Sequence, residues 1–141
     1  MTITRIGDPR SGSGGQMLPF SQATEAGGFV FVSGQVGFDA GGEIVQGGIV
    51  AETRQTMDNI VAILAKAGCT LADVVKANVY LSGDPARGGD IDYRAMNQEW
   101  AKHFGTAAQP NKPARSTVRA GLVIPGTLVE IDMIAVKKVT R

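Results

Sequence analysis

Along the chain, apolar positions follow two periods, and each change of period marks a new element. "FVFVSGQVGF" (Phe29 to Phe38) is dense in β-branched and aromatic residues, which favour a pleated strand. Alternation sends Phe29 and Phe31 to one face and Val30 and Val32 to the other, so both faces are expected to be covered. In "IVAETRQTMDNIVAILAKAG", Ile49, Thr53, Thr56, Ile60, Ile63 and Ala67 recur at steps of four and three, the stripe of a helix buried along one side. Gly68 is suited to end that helix in the left-handed conformation. "TLAD" (Thr70 to Asp73) has the spacing of a capping box at the start of one short turn. "VVKANVYLS" reads as a strand with Val75, Ala77, Val79 and Leu81 on one side. After the loop "GDPARGGD", Asp90 or Asp92 is placed to cap a second helix. Tyr93, Met96, Trp100 and Phe104 form its buried stripe, and Gly105 ends it.

The last segment, "KPARSTVRAGLVIPGTLVEIDMIAV" (Lys112 to Val136), reads as two alternating strands with Ile124, Pro125 and Gly126 between them. Arg115, Thr117 and Arg119 share one face of the first strand. Leu128, Glu130 and Asp132 share one face of the second, opposite an apolar face of Val129, Ile131, Met133 and Ala135. Antiparallel pairing of these two strands would set the arginines beside the carboxylates, in a register that the pattern does not fix. Cross-strand ion pairing at the surface, at about 0.2–1 kcal/mol, would account for such a face. So would a guanidinium fork gripping a substrate carboxylate while a glutamate manages a water molecule. The pattern leaves both readings open.

The element order predicts an α+β domain with a mixed sheet. Two helices can coat only one face of it, so the other face is expected to meet another copy of the chain. Composition narrows the function classes. With 43% apolar and 19% charged residues the chain is globular, and a net charge of +1 offers no broad footing for nucleic acid or an anionic membrane. No run approaches the ~18 apolar residues of a membrane span. The N-terminus "MTITRIGDPRSGSGGQ" lacks the pattern of a signal peptide, and Cys69, the only cysteine, has no disulfide partner, so a cytoplasmic location is expected. One histidine, His103, rules out a His-based triad with one to spare, and no zinc-ligand spacing exists. His103 suits a helix-end charge interaction and Cys69 a buried thiol. Ser33 in "VSGQVG" lacks the preceding glycine of a nucleophile elbow, and the segment lacks the lysine of a phosphate loop.

"PFSQA" (Pro19 to Ala23), "FVFVSGQVG", "ETRQTMDNI", "DVVKANVYL", "MN" (Met96, Asn97), "PARSTV" and "VEIDMIAV" occur in the order found in the Rid/YjgF family, which the chain resembles from about Pro19 to Lys137. The resemblance implies one domain over residues 1–141, with residues 1–18 as a divergent N-terminal strand and Gly/Ser-rich loop. It implies a chorismate-mutase-like fold, a mixed sheet with two helices on one face, and a homotrimer with active sites between subunits. It also implies an enamine/imine deaminase that hydrolyses 2-aminoacrylate-derived 2-imino acids to 2-oxo acids and ammonia without metal or cofactor. By position, Arg115 matches the carboxylate-binding arginine and Glu130 the glutamate that orients water and shuttles protons. Ser33, Gly34, Asn97 and Thr117 match pocket residues, Thr117 standing where many relatives have cysteine. Phe20 replaces a common tyrosine, and the Gly83 to Asp92 loop is longer than usual. Arg119 and Asp132 keep the surface ion-pair reading. Other functions weighed are a pathway-specific deaminase of aminomuconate or aminoacrylate type, a ribonuclease, and a non-catalytic, chaperone-like trimer that binds 2-oxo acids.

Overall fold

The computed structural model describes residues 1–9 and 16–138; most of the Gly/Ser-rich loop therefore lies outside the described residues. Six strands form one sheet: β1 (Thr4–Ile6), β2 (Ala23–Ala26), β3 (Phe29–Gln35), β4 (Val74–Leu81), β5 (Ala114–Arg119) and β6 (Val129–Val136). Their order is β1-β2-β3-β6-β4-β5, antiparallel throughout except for the parallel pair β4/β5. Helices α1 (Gly48–Lys66) and α2 (Tyr93–Trp100) complete the expected α+β architecture. Among the described residues no helix is long and apolar enough to cross a membrane.

The local signals act as their chemistry demands. Gly27 and Gly28, at φ of 59° and 84°, form a two-residue turn that pairs Ala26 with Phe29 and so fixes the β2/β3 register. Gly68 takes a φ of 76° just after α1. Thr70 and Asp73 form the capping box at a single 3₁₀ turn, and the Asp92 side chain accepts from the Ala95 N–H to cap α2. The α1 stripe of Ile49, Thr53, Thr56, Ile60, Ile63 and Ala67 is buried against the sheet, whose inner face supplies Val30, Val32, Ala77, Val79, Leu81, Ile131 and Met133. Cys69 is buried as expected, and that burial pushes its thiol pKa up. His103 lies just past α2 with Nε2 3.5 Å from the Glu99 carboxylate. Glu99, 1% exposed, also receives Arg54 Nε at 2.9 Å and Nη2 at 2.6 Å, which ties α2 to α1.

Two expectations fail for reasons of register. Val75 is 44% exposed because the β4/β6 register shifts between Val74 and Lys76, and Val74 takes the core position instead. The two final strands do not pair: β4 lies between β5 and β6, so the arginine face never meets the carboxylate face. The proposed Arg119–Asp132 ion pair is therefore absent. Arg119 donates to the Gly89 carbonyl at 3.3 Å, and Asp132 accepts from Asn78 and Tyr80 at 2.9 Å each.

The face away from the helices is uncovered. Phe29 and Phe31 are each 43% exposed with ring centroids 6.2 Å apart, and Val118 and Val136 add to the patch. Between these apolar flanks sit Asn78, Tyr80, Glu130 and Asp132.

Glu52 is a buried carboxylate without a cation within ion-pair reach among the described residues. It is 3% exposed, and its Oε1 accepts from the Leu128 N–H at 2.8 Å. Burial raises its pKa, so ionisation opposes folding above the ordinary glutamate range. Glu52→Gln keeps the acceptor and removes the charge, and at neutral pH it is expected to stabilise the fold by about 1 kcal/mol in urea titrations. The gain should vanish as pH falls through the raised native pKa toward the unfolded value, where wild type is protonated in both states. A gain that persists in acid, or none at any pH, refutes this assignment.

Candidate active site

The residues expected at the site fall into two groups in one chain. Arg115 pairs with Ala77 in the β4/β5 ladder, which turns its side chain toward α2. There Nη2 donates to Asn97 Oδ1 at 2.6 Å and to the Tyr93 hydroxyl at 3.2 Å, and Nη1 lies 3.9 Å from Met96 Sδ. The guanidinium also stacks over aromatic faces, 4.8 Å from the Trp100 centroid and 5.8 Å from that of Tyr93. Thr117, paired with Val79, follows on the same face of β5. All these partners are neutral. Among the described residues, Arg115 has no carboxylate within 4.0 Å, although it is only partly exposed.

The second group surrounds a cleft of about 1020 Å³ lined by Phe20, Ser33, Gly34 and Glu130, with Phe38, Asn59 and Ile124 among its walls. The Ser33 hydroxyl donates to the Ser21 carbonyl at 2.7 Å, which anchors the segment carrying Phe20. Phe20 is 56% exposed at the cleft. Gly34 is required by close approach, because a Cβ there would stand 2.5 Å from Glu130 Oε2. Burial, and secondarily the Asp132 carboxylate, raise the Glu130 pKa. A raised pKa makes the ionised glutamate a better proton acceptor, which suits general-base work near neutral pH.

Glu130 alternates with the inward-facing Val129 and Ile131 and so projects from the uncovered face, whereas Arg115 projects from the helix face. The two are also two strand positions apart, so Arg115 and Glu130 cannot converge within one chain. Ser33, Gly34 and Phe20 join Glu130, while Asn97 and Thr117 join Arg115.

Tyr93 and Trp100 belong to the arginine group, although their helical spacing assigned them to a buried stripe. Tyr93 is instead 47% exposed, and Trp100 is half-buried. The usable signal was Tyr93, Asn97 and Trp100 at steps of four and three, a polar group framed by aromatic faces along one side of α2. Among the described residues, no group of three or more His, Cys, Asp and Glu side chains is placed to hold a metal ion.

Comparison with known proteins adds an independent line. The family model described as Endoribonuclease L-PSP matches residues 15–137. A RutC family protein of Pyrococcus horikoshii is 43% identical over 122 residues, spanning 85% of this chain and 88% of the relative. The 2-iminobutanoate/2-iminopropanoate deaminase of Capra hircus is 39% identical over 121 residues, 84% of this chain and 80% of the relative. Among solved structures, yeast Mmf1 superposes with a TM-score of 0.79 at 33% identity, covering 97% of this chain and all of that one. Escherichia coli TdcF with bound serine gives a TM-score of 0.78 at 26% identity over 96% of this chain and 99% of that chain.

Proposed function

Because the chain belongs to the endoribonuclease L-PSP family, known also as YjgF/Rid, we propose that it hydrolyses 2-imino acids to 2-oxo acids and ammonia. One observation carries the reading: among the described residues, Arg115 is a partly buried cation gripped only by neutral acceptors and aromatic faces, with no carboxylate of its own. A guanidinium held without a counter-charge is prepared for a substrate anion, and its planar fork fits a carboxylate better than an ammonium would. Relatives named as 2-iminobutanoate/2-iminopropanoate deaminases, 32–39% identical, supply the substrate class.

The reaction needs positioning and one proton relay. Arg115 holds the carboxylate and so fixes the C=N carbon beside it. Glu130 takes a proton from water as its oxygen bonds to that carbon, giving a carbinolamine. The proton then passes to the amine nitrogen. Because the imine enters protonated, the ionised Glu130 then accepts the hydroxyl proton as the carbonyl forms and the C–N bond breaks, and it passes that proton to the departing ammonia, which leaves as ammonium. Ser33, Gly34 and Phe20 shape the glutamate side, and Asn97 and Thr117 the arginine side.

Since the two halves lie on opposite faces of one sheet, the site is built from Arg115 of one copy and Glu130 of another. The exposed Phe29, Phe31, Val118 and Val136 supply the apolar surface for such an assembly, which we take to be a homotrimer. The family description names an endoribonuclease, but a net charge of +1 gives RNA little electrostatic hold.

The direct test adds protein to freshly generated 2-imino acids with small, aliphatic and aromatic side chains and follows imine decay with ammonia release. Acceleration of at least one class is expected. Decay at the spontaneous rate across the whole panel refutes the reading.

A further inference from the structure

We propose that the Tyr93 phenol is a second donor of the carboxylate clamp, binding the acid end of the substrate alongside Arg115; the inference rests on the deaminase reading of that arginine.

Nη2 carries two hydrogens, and both have acceptors, Asn97 Oδ1 at 2.6 Å and the Tyr93 oxygen at 3.2 Å. Nη2 is therefore engaged in holding the side chain against α2. Among the described residues Nη1 has only the weak Met96 sulfur at 3.9 Å and Nε–H no acceptor, so each keeps a donor for an anion, on opposite sides of the guanidinium. Both two-donor edges of the fork run through the occupied Nη2, so an anion meets single guanidinium donors, and the roughly four acceptor positions of a carboxylate leave room for a further donor.

The phenol supplies the next donor. Its oxygen accepts from Arg115, so its own O–H is not spent on the guanidinium. With Tyr93 47% exposed beside the cation, the hydroxyl is accessible to the same ligand. Such a chain, guanidinium to phenol to carboxylate, strengthens each bond in turn. The hydrogen bond with Asn97 and the positive charge of Arg115 lower the phenol pKa, which makes it a better donor. On the glutamate side, Phe20 brings no hydroxyl, so Tyr93 is the phenol that the assembled site can offer from the arginine side.

Trp100 makes the test direct. It is the only tryptophan in the chain and lies 4.8 Å from the Arg115 guanidinium, so its fluorescence reports occupation of the clamp without catalysis. 2-Oxobutanoate is titrated into wild type and Tyr93→Phe, with 2-butanone as the probe lacking a carboxylate. Loss of one hydrogen bond to a charged group is expected to raise the 2-oxobutanoate Kd about tenfold in Tyr93→Phe, with thermal unfolding unchanged. On the imino acid the same variant should raise KM by a similar factor and leave kcat within about twofold.

A pH series separates donation from packing. Among the described residues, the groups facing the phenol oxygen are the Arg115 guanidinium on β5 and the neutral Asn97 amide on α2. Wild-type affinity should therefore fall in alkali, below the usual tyrosine range, as the phenol ionises, and Tyr93→Phe should show no such fall. Equal Kd values in the two proteins, or the same alkaline profile in both, overturn the Tyr93 assignment while leaving Arg115 intact. A wild type whose fluorescence does not respond to 2-oxobutanoate overturns the clamp itself, and with it both readings.

Discussion

Arg115→Ala is expected to lower kcat/KM for 2-imino acids by roughly 100- to 1000-fold, the cost of removing one partner of a partly desolvated, hydrogen-bonded charge pair. Most of the loss should fall on KM, because the carboxylate is bound alike in the substrate and at the transition state. The same variant should leave Trp100 fluorescence unresponsive to 2-oxobutanoate. Arg115→Lys retains the charge but lacks the planar fork, so it is expected to recover only part of the activity. Since Arg115 has no ion pair to lose among the described residues, fold stability should change little beyond the lost contacts with Tyr93 and Trp100. A fully active Arg115→Ala protein would show that the anion site lies elsewhere.

Glu130→Gln should act on the other kinetic constant. Removing the proton relay is expected to reduce kcat by about 100-fold, the lower end of what general acid–base groups contribute, while 2-oxobutanoate still binds. Burial and Asp132 raise the Glu130 pKa, and the base works only when ionised. Wild-type activity should therefore fall on acidification at a pH above the ordinary glutamate range, and this limb should disappear from the residual activity of Glu130→Gln. A limb that survives the substitution, or an unchanged kcat, removes Glu130 from the chemistry. The two inactive variants can also be unfolded together and refolded as a mixture. If each site takes Arg115 from one copy and Glu130 from another, random assembly restores about a quarter of the sites. If a single chain holds the whole site, the mixture stays inactive.

What could be read from the sequence was whatever is decided within a few residues. Helical steps placed Ile49 to Ala67 correctly, alternation separated Phe29 and Phe31 from Val30 and Val32, and Thr70, Asp73, Gly68 and Asp92 act at the positions their chemistry indicated. Pairing between distant strands carried no such local mark. Nothing in "ARSTVR" or "VEIDMIAV" says that β4, some 40 residues before β5, inserts itself between them. The shift that exposes Val75 is likewise a property of the β4/β6 ladder rather than of "VVKA". β2, the short "ATEA", has too little β-branched content to stand out and is defined by its Gly-Gly turn to β3. For the site, motif resemblance put Arg115 and Glu130 forward but could not say that they face opposite ways. The aromatic cradle under Arg115 was concealed by its own periodicity, since a stripe facing a cation has the same spacing as one facing a core.

On the proposed assembly, that division of Arg115 from Glu130 across the thickness of a single sheet makes turnover depend on abundance. A solitary copy would carry a grip without a base at one surface and a base without a grip at the other. On sufficient dilution, the pool should therefore keep its hold on keto acids after it has ceased to consume imines.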